Sequence, residues 1–165
     1  MIVSHSSGSP PHELGQDGRN PPEGPVLTRS RSMPADAEAV FDIVSDLDNL
    51  TTWLPDSVEV ELCGPRLIRM WMPGLRAEVD VERQIRIDWE RLRITWGSET
   101  TTSCSGALQV LRLTENRSAV SVRLTGPPGS STASVGAWLE AALDALERVV
   151  CAEHLAKRAV HQPAQ

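Results

Sequence analysis

A chain of 165 residues, 40% apolar and 23% charged, carries enough hydrophobic material for one core and too little length for two. Its net charge of −6, with the acids scattered rather than massed, disfavours a broad nucleic-acid surface, and 3 cysteines at no metal-ligand spacing argue against a disulfide framework and fit reduced thiols in a cytoplasmic protein. No segment approaches the length of a membrane span, and the start of the chain has neither the basic residues nor the apolar run of a signal peptide.

Residues 1–25 are Ser, Gly, Pro, Asn and other polar residues with little to bury, so they read as a disordered leader ahead of a single domain spanning 26–160, with 161–165 a flexible tail. His5 and His12 in that leader lack the further ligands a metal site needs. The domain opens with a strand from Val26 to Met33, ended by Pro34. Asp36 then caps a helix whose Val40, Ile43, Val44 and Leu47 share one face, with Phe41 at its margin. Asp46, Asp48, Asn49 and Thr51 interrupt it, and Leu50, Trp53 and Leu54 anchor a second short helix that Pro55 stops.

Strands follow at 58–63 and 66–72, broken by Gly64-Pro65, and Pro73-Gly74 makes the next turn. From Leu75 to Trp89 the alternation is clear: Leu75, Ala77, Val79, Val81, Ile85, Ile87 and Trp89 point one way, and Arg83 alone breaks the inward series. Leu92, Ile94 and Trp96 line one face of the next strand. Over 104–113 the apolar phase changes, with Cys104, Gly106, Leu108 and Val110 in one phase and Leu111 and Leu113 in the other, which implies a bulge or twist and leaves the inward face open. Asn116-Arg117 turns into a last strand of Val120, Val122 and Leu124, ended by Gly126-Pro127-Pro128-Gly129. In the closing helix Val135, Trp138, Leu139, Ala142, Leu143, Leu146, Val149 and Val150 fall within an arc of roughly 140°. A stripe that broad needs a large apolar surface, which short antiparallel strands supply only by curving around the helix. The expected class is α+β, a curved antiparallel sheet wrapped around a long C-terminal helix, with two short helices after the first strand.

Within this order, Pro34-Ala35 with Asp36 to Val44, then Asp46 and Asp48, and the run Leu50-Thr51-Thr52-Trp53-Leu54-Pro55 carry a family pattern. The chain resembles the START/Bet v 1-like (SRPBCC) helix-grip superfamily over residues 26–158, nearest to bacterial polyketide cyclase/dehydrase-like proteins. The resemblance implies a cavity between sheet and terminal helix, closed at one end by the short helices, that takes a small hydrophobic or aromatic molecule. Some members cyclise or dehydrate polyketides and others carry or sense a ligand, so the fold does not choose between enzyme and carrier. A protein-interaction module with a filled core is a further alternative, and a homodimer or an acyl-carrier partner fits the same family. No cofactor is implied.

Arg83 stands out because an Arg in the inward phase needs a carboxylate, a carbonyl-rich ligand or solvent to satisfy it. Either it faces the cavity, where it could hold an enolate or carboxylate, or a bulge turns it outward and its stem packs while the guanidinium reaches water. Glu153 falls in register with Val135 and Leu146 on the terminal helix. It either reaches a cavity polar group as a proton acceptor or sits beyond the sheet as an exposed partner of Lys157. Trp53, Met70, Trp71, Val81, Arg83, Trp96, Leu108, Trp138, Leu139 and Leu143 are the expected ligand-binding residues. Tyr is absent and none of the 4 His falls on a strand, which removes the usual proton-transfer groups from the sheet. Cys151 and His154, three apart on a helix, lack the further ligands of a zinc site, so no metal is expected, and the glycines form no nucleotide-binding pattern.

Overall fold

Proline and capping residues divide the chain where the hydrophobic pattern changes period. The structure, a computed structural model, describes residues 24–55, 58–72, 79–97, 105–126 and 128–160, and the side chains of 70–72 and 79–83 lie outside that set. β1 (Val26–Met33) runs into Pro34, and the Asp36 carboxylate accepts a hydrogen bond of 2.9 Å from the Ala39 N–H to start α1 (Ala37–Ser45). A 3₁₀ segment (Leu47–Thr52) follows, with Leu50 buried. β2 (Glu59–Gly64), β3 (Leu67–Met72), β4 (Val79–Asp88), β5 (Arg93–Trp96), β6 (Gly106–Thr114) and β7 (Arg117–Thr125) lead to α2 (Thr132–Val160).

The strands form one seven-stranded sheet in the order β1-β7-β6-β5-β4-β3-β2, and every neighbouring pair is antiparallel. Each of β2 to β7 is the neighbour of the next, while the helical excursion after β1 carries the chain across to the far edge. Alternation puts Ile85, Ile94, Leu108, Val110, Val120, Val122 and Leu124 on the buried face. α2 covers that face with Val135, Leu139, Ala142, Leu143, Leu146 and Val150. The result is the α+β helix-grip arrangement expected from the pattern.

Several local expectations change. Phe41 is fully buried rather than marginal, and Trp89 is 54% exposed rather than inward. β4 ends at Asp88, whose carboxylate accepts hydrogen bonds from the Arg91 N–H (3.0 Å) and guanidinium (2.9 Å), so Trp89 has already left the pleat. Its ring meets the edge of Phe41 at 4.8 Å between centroids and 84° between planes. On β6 the inward phase is Leu108 and Val110, while Leu111 and Leu113 are exposed; Leu111 pairs in regular register with Ala119 and the register shift comes only after Arg112, so the mixed pattern is two outward-facing apolar residues rather than a bulge before them. Residues 1–23 of the leader, the tail, Leu75, Ala77 and Cys104 lie outside the described residues.

The other side of α2 is attached differently. Glu140, Asp144 and Glu147 recur at three- and four-residue spacing and meet two arginines of β1. Arg29 reaches Glu140 at 3.1 Å, and Arg31 reaches Glu140 at 2.8 Å, Glu147 at 3.2 Å and Asp144. Hydrogen bonds to Asp144 and then Glu147 raise the pKa of the Arg31 guanidinium well above its ordinary value. Gly136 belongs to this contact, since a Cβ there would press on the Arg29 guanidinium at 3.3 Å.

Candidate ligand cavity

Three elements meet at an internal space that no side chain fills. The cavity has a volume of about 90 Å³. Val44, Leu47, Leu50, Trp53 and Leu54 close one end from the helical segment, since the apolar positions of α1 and of the 3₁₀ segment turn toward the sheet. Ile68, Ile85, Ile94, Trp96, Leu108, Val122 and Leu124 form the sheet wall, and Trp138, Leu139, Ala142, Leu143 and Leu146 the α2 wall. None of these residues is titratable, so the interior is a low-dielectric space that accepts neutral apolar matter and penalises charge.

Three tryptophans line the cavity with apolar ring surface only. Trp53 follows the 3₁₀ segment, Trp96 ends β5 and Trp138 lies in the second turn of α2, and the indole N–H of each is buried with no hydrogen-bond partner among the described residues. Gly106 explains the seat of Trp96. The two residues are register partners across β5 and β6, and a Cβ at 106 would stand 2.5 Å from Cζ2 and 2.9 Å from Cε2 of that indole. Only glycine lets the ring lie across the neighbouring strand.

Of the residues expected at the site, Trp53, Trp96, Leu108, Trp138, Leu139 and Leu143 line the cavity. The side chains of Met70, Trp71, Val81 and Arg83 lie outside the described residues; the backbone register pairs Met70 with Val81 and Ile68 with Arg83. Glu153 is corrected: it is exposed, one turn past Val150, the last buried residue of α2, because the helix continues beyond the sheet there. Helical phase alone could not show where the sheet ends. Sequence reasoning did not name Val44, Leu47, Leu50 and Leu54 of the helical end, Ile68, Ile85, Ile94, Val122 and Leu124 of the sheet, or Ala142 and Leu146 of α2 as lining residues, although it read most of them as apolar face positions. Among the described residues no cluster of His, Cys, Asp or Glu could hold a metal, Cys151 and His154 included, and no helix is long and apolar enough to cross a membrane.

Residues 25–156 match the family described as polyketide cyclase/dehydrase and lipid transport. No curated protein matches the chain. Among solved structures, TTHA0849 from Thermus thermophilus is 24% identical with a TM-score of 0.63, over 78% of this chain and 99% of that one. A START superfamily protein from Mycobacterium smegmatis is 18% identical with a TM-score of 0.61, over 79% and 98%. The ZhuI aromatase/cyclase from Streptomyces sp. R1128 is 16% identical with a TM-score of 0.57, over 83% and 96%. At these identities the structures show a shared helix-grip fold, and the family match covers most of the chain. The chain belongs to the polyketide cyclase/dehydrase and lipid transport family.

Proposed function

We propose that this family member binds a small hydrophobic or aromatic molecule in the cavity between its sheet and α2. The observation that carries the reading is a wholly apolar space walled by three tryptophans from three different elements. Mass spectrometry of gently purified protein, with tryptophan fluorescence titrations against aromatic polyketides and fatty acids, tests it. A guest that co-purifies or quenches fluorescence at stoichiometric ratio is expected. Ala142→Leu, which places a larger side chain on the cavity wall, is expected to abolish that response while the protein stays folded. Failure of every class to bind would return the chain to the alternative of a filled core with a protein-binding surface.

Family membership favours a second, finer reading, cyclase- or dehydratase-like chemistry on a polyketide. In such a reaction a proton leaves the carbon next to a carbonyl, and the electron pair moves to oxygen as an enolate. Arg83 is the proposed stabiliser of that oxygen. Residue 83 occupies the register position opposite Ile68 and two before Ile85, both of which line the cavity. Removing one preorganised donor of this kind costs about 10²- to 10³-fold in rate. Arg83→Leu is therefore expected to cut turnover of a cyclised substrate by that much while apolar ligands still bind, and undiminished turnover would dismiss the role. The proton acceptor is a bound water or a basic group delivered with the substrate, since Glu153 is exposed and no described lining residue titrates. That lack of titratable groups supports carriage or sensing over catalysis.

A further inference from the structure

We propose that the outer face of β5, β6 and β7, turned away from the cavity, is a docking surface for an acidic amphipathic helix of another protein. It stands independently of the cavity reading. Ile94, Leu108, Val110, Val120 and Val122 are buried against α2 and the helical end, so the alternate positions Arg93, Gln109, Leu111, Ala119, Ser121 and Arg123 face the other way. Leu111 and Leu113 are 46% and 54% exposed on β6, and Ala119 pairs opposite Leu111. Arg93 of β5 stands on one side of this apolar strip, and Arg117 and Arg123 of β7 stand on the other. All three arginines are exposed, and none of their guanidinium groups meets a partner among the described residues. Although the chain has a net charge of −6, the described outward positions of these three strands hold no acid, and Asp88 at the end of β4 is already taken by Arg91. Glu90 and Glu115 stand in the turns at the strand ends.

The dimensions select a helix. β5 and β7 lie two strand spacings apart, about 10 Å, which is about the width of an α-helix. Along β6 the arginines reach from the level of Ala107, the partner of Arg123, to that of Thr114, the partner of Arg117, about 24 Å or four helical turns. A helix laid on β6 seats one apolar stripe on Leu111 and Leu113 and brings acids on both its flanks to guanidinium groups, which pair carboxylates bidentately. An added strand does not fit, because β6 already has a neighbour on each side. A membrane is a poorer match, since the two leucines lie on a sheet face rather than on a projecting loop and the chain as a whole is negative. A second copy does not supply the helix either: α1 buries its apolar positions Val40, Phe41 and Val44, and the exposed end of α2 carries Lys157 and Arg158.

Two helical peptides of about four turns test this on the full chain, each with one leucine stripe, flanked by glutamate in one and by lysine in the other. The net charge of the chain would favour the lysine peptide, so the opposite order reports this face. The glutamate peptide should bind about 10-fold or more tighter in fluorescence anisotropy. In proton–nitrogen correlation spectra it should shift backbone signals of β5, β6 and β7. A triple charge reversal, Arg93→Glu, Arg117→Glu and Arg123→Glu, should switch the preference to the lysine peptide with the same backbone signals moving, which misfolding would not produce. Leu111→Ser with Leu113→Ser should weaken the glutamate peptide by about 10-fold or more while the melting transition changes little. Equal or reversed binding of the two peptides to the wild type, shifts confined to other elements, a preference that survives the charge reversal, or undiminished binding by the leucine variant would each overturn the proposal. So would phosphatidylglycerol vesicles that bind the wild type and not the charge-reversed variant while neither peptide binds, an outcome that would make the face a membrane surface.

Discussion

α2 is held by two unlike attachments. On one side Leu139, Leu143 and Leu146 press on an apolar wall and leave a void; on the other Glu140, Asp144 and Glu147 grip Arg29 and Arg31 of β1. Hydrophobic contact is strong but has no direction, so it can hold a helix over a sheet without fixing how close it lies. Charge-assisted hydrogen bonds are weaker at half-exposed sites but geometrically specific. The division suggests how a protein can keep an internal space open: the apolar side supplies the stability, and the polar side sets the position of the helix, so the void is not closed by sliding.

The largest effect in this comparison belongs to the apolar side. Leu139→Ala removes a fully buried side chain beside an existing cavity and should cost about 2 to 5 kcal/mol in chemical denaturation, near-zero change being incompatible with the packing described. Gly106→Ala should cost about 1 to 3 kcal/mol by displacing the Trp96 indole and should shift the tryptophan emission spectrum, because the added carbon has no room above the strand. On the polar side Arg31→Met should cost only about 1 kcal/mol, since its three carboxylate partners are half-exposed, and the loss should shrink as salt is added. Its diagnostic readout is ligand affinity: if the clasp positions the helix, binding should weaken by more than the stability change alone accounts for.

The smallest effect is a control outside both attachments. The Arg91 backbone N–H, then its side chain, hold the Asp88 carboxyl below the usual carboxylate value. A lowered folded-state pKa means stability that is present above the ordinary value of 3.8 and lost as pH falls through the lower folded-state value. Asp88→Asn should therefore flatten a small part of the acid limb of the stability curve and leave neutral-pH ligand binding unchanged.

Most of the architecture was legible because it is written in local periods. Alternation in β7, the Asp36 cap and the α2 stripe each need only neighbouring residues to be read, and each forms as the pattern requires. What failed depended on where elements stop. Trp89 continues the alternation of β4 on paper, yet Asp88 has already bent the backbone into a turn. Glu153 keeps the helical phase of Leu146, yet the sheet beneath it has ended. Leu111 and Leu113 are apolar residues on the exposed face, and only cross-strand pairing tells that from a bulge. At the site, the sheet and α2 walls were half-readable from phase, whereas the contribution of Val44, Leu47, Leu50 and Leu54 was not, because a buried helical face does not say whether it meets side chains or a void.

The pairing of β1 with β7 also sets a timetable. Ser30 and Ser121, hydrogen-bonded across the two strands, are 91 positions apart, so the first strand has no sheet neighbour until nearly the last has been made. Closing so long a loop is slow and gains nothing until the partner strand exists. On the ribosome, therefore, the segment that emerges first should wait as an unpaired edge while the hairpins from β2 to β7 assemble, and the cavity should come into being only at the final step, when α2 is laid down and β1 is zipped beside β7. A guest that is present at that moment would be taken up as the sheet closes, as well as by the finished protein.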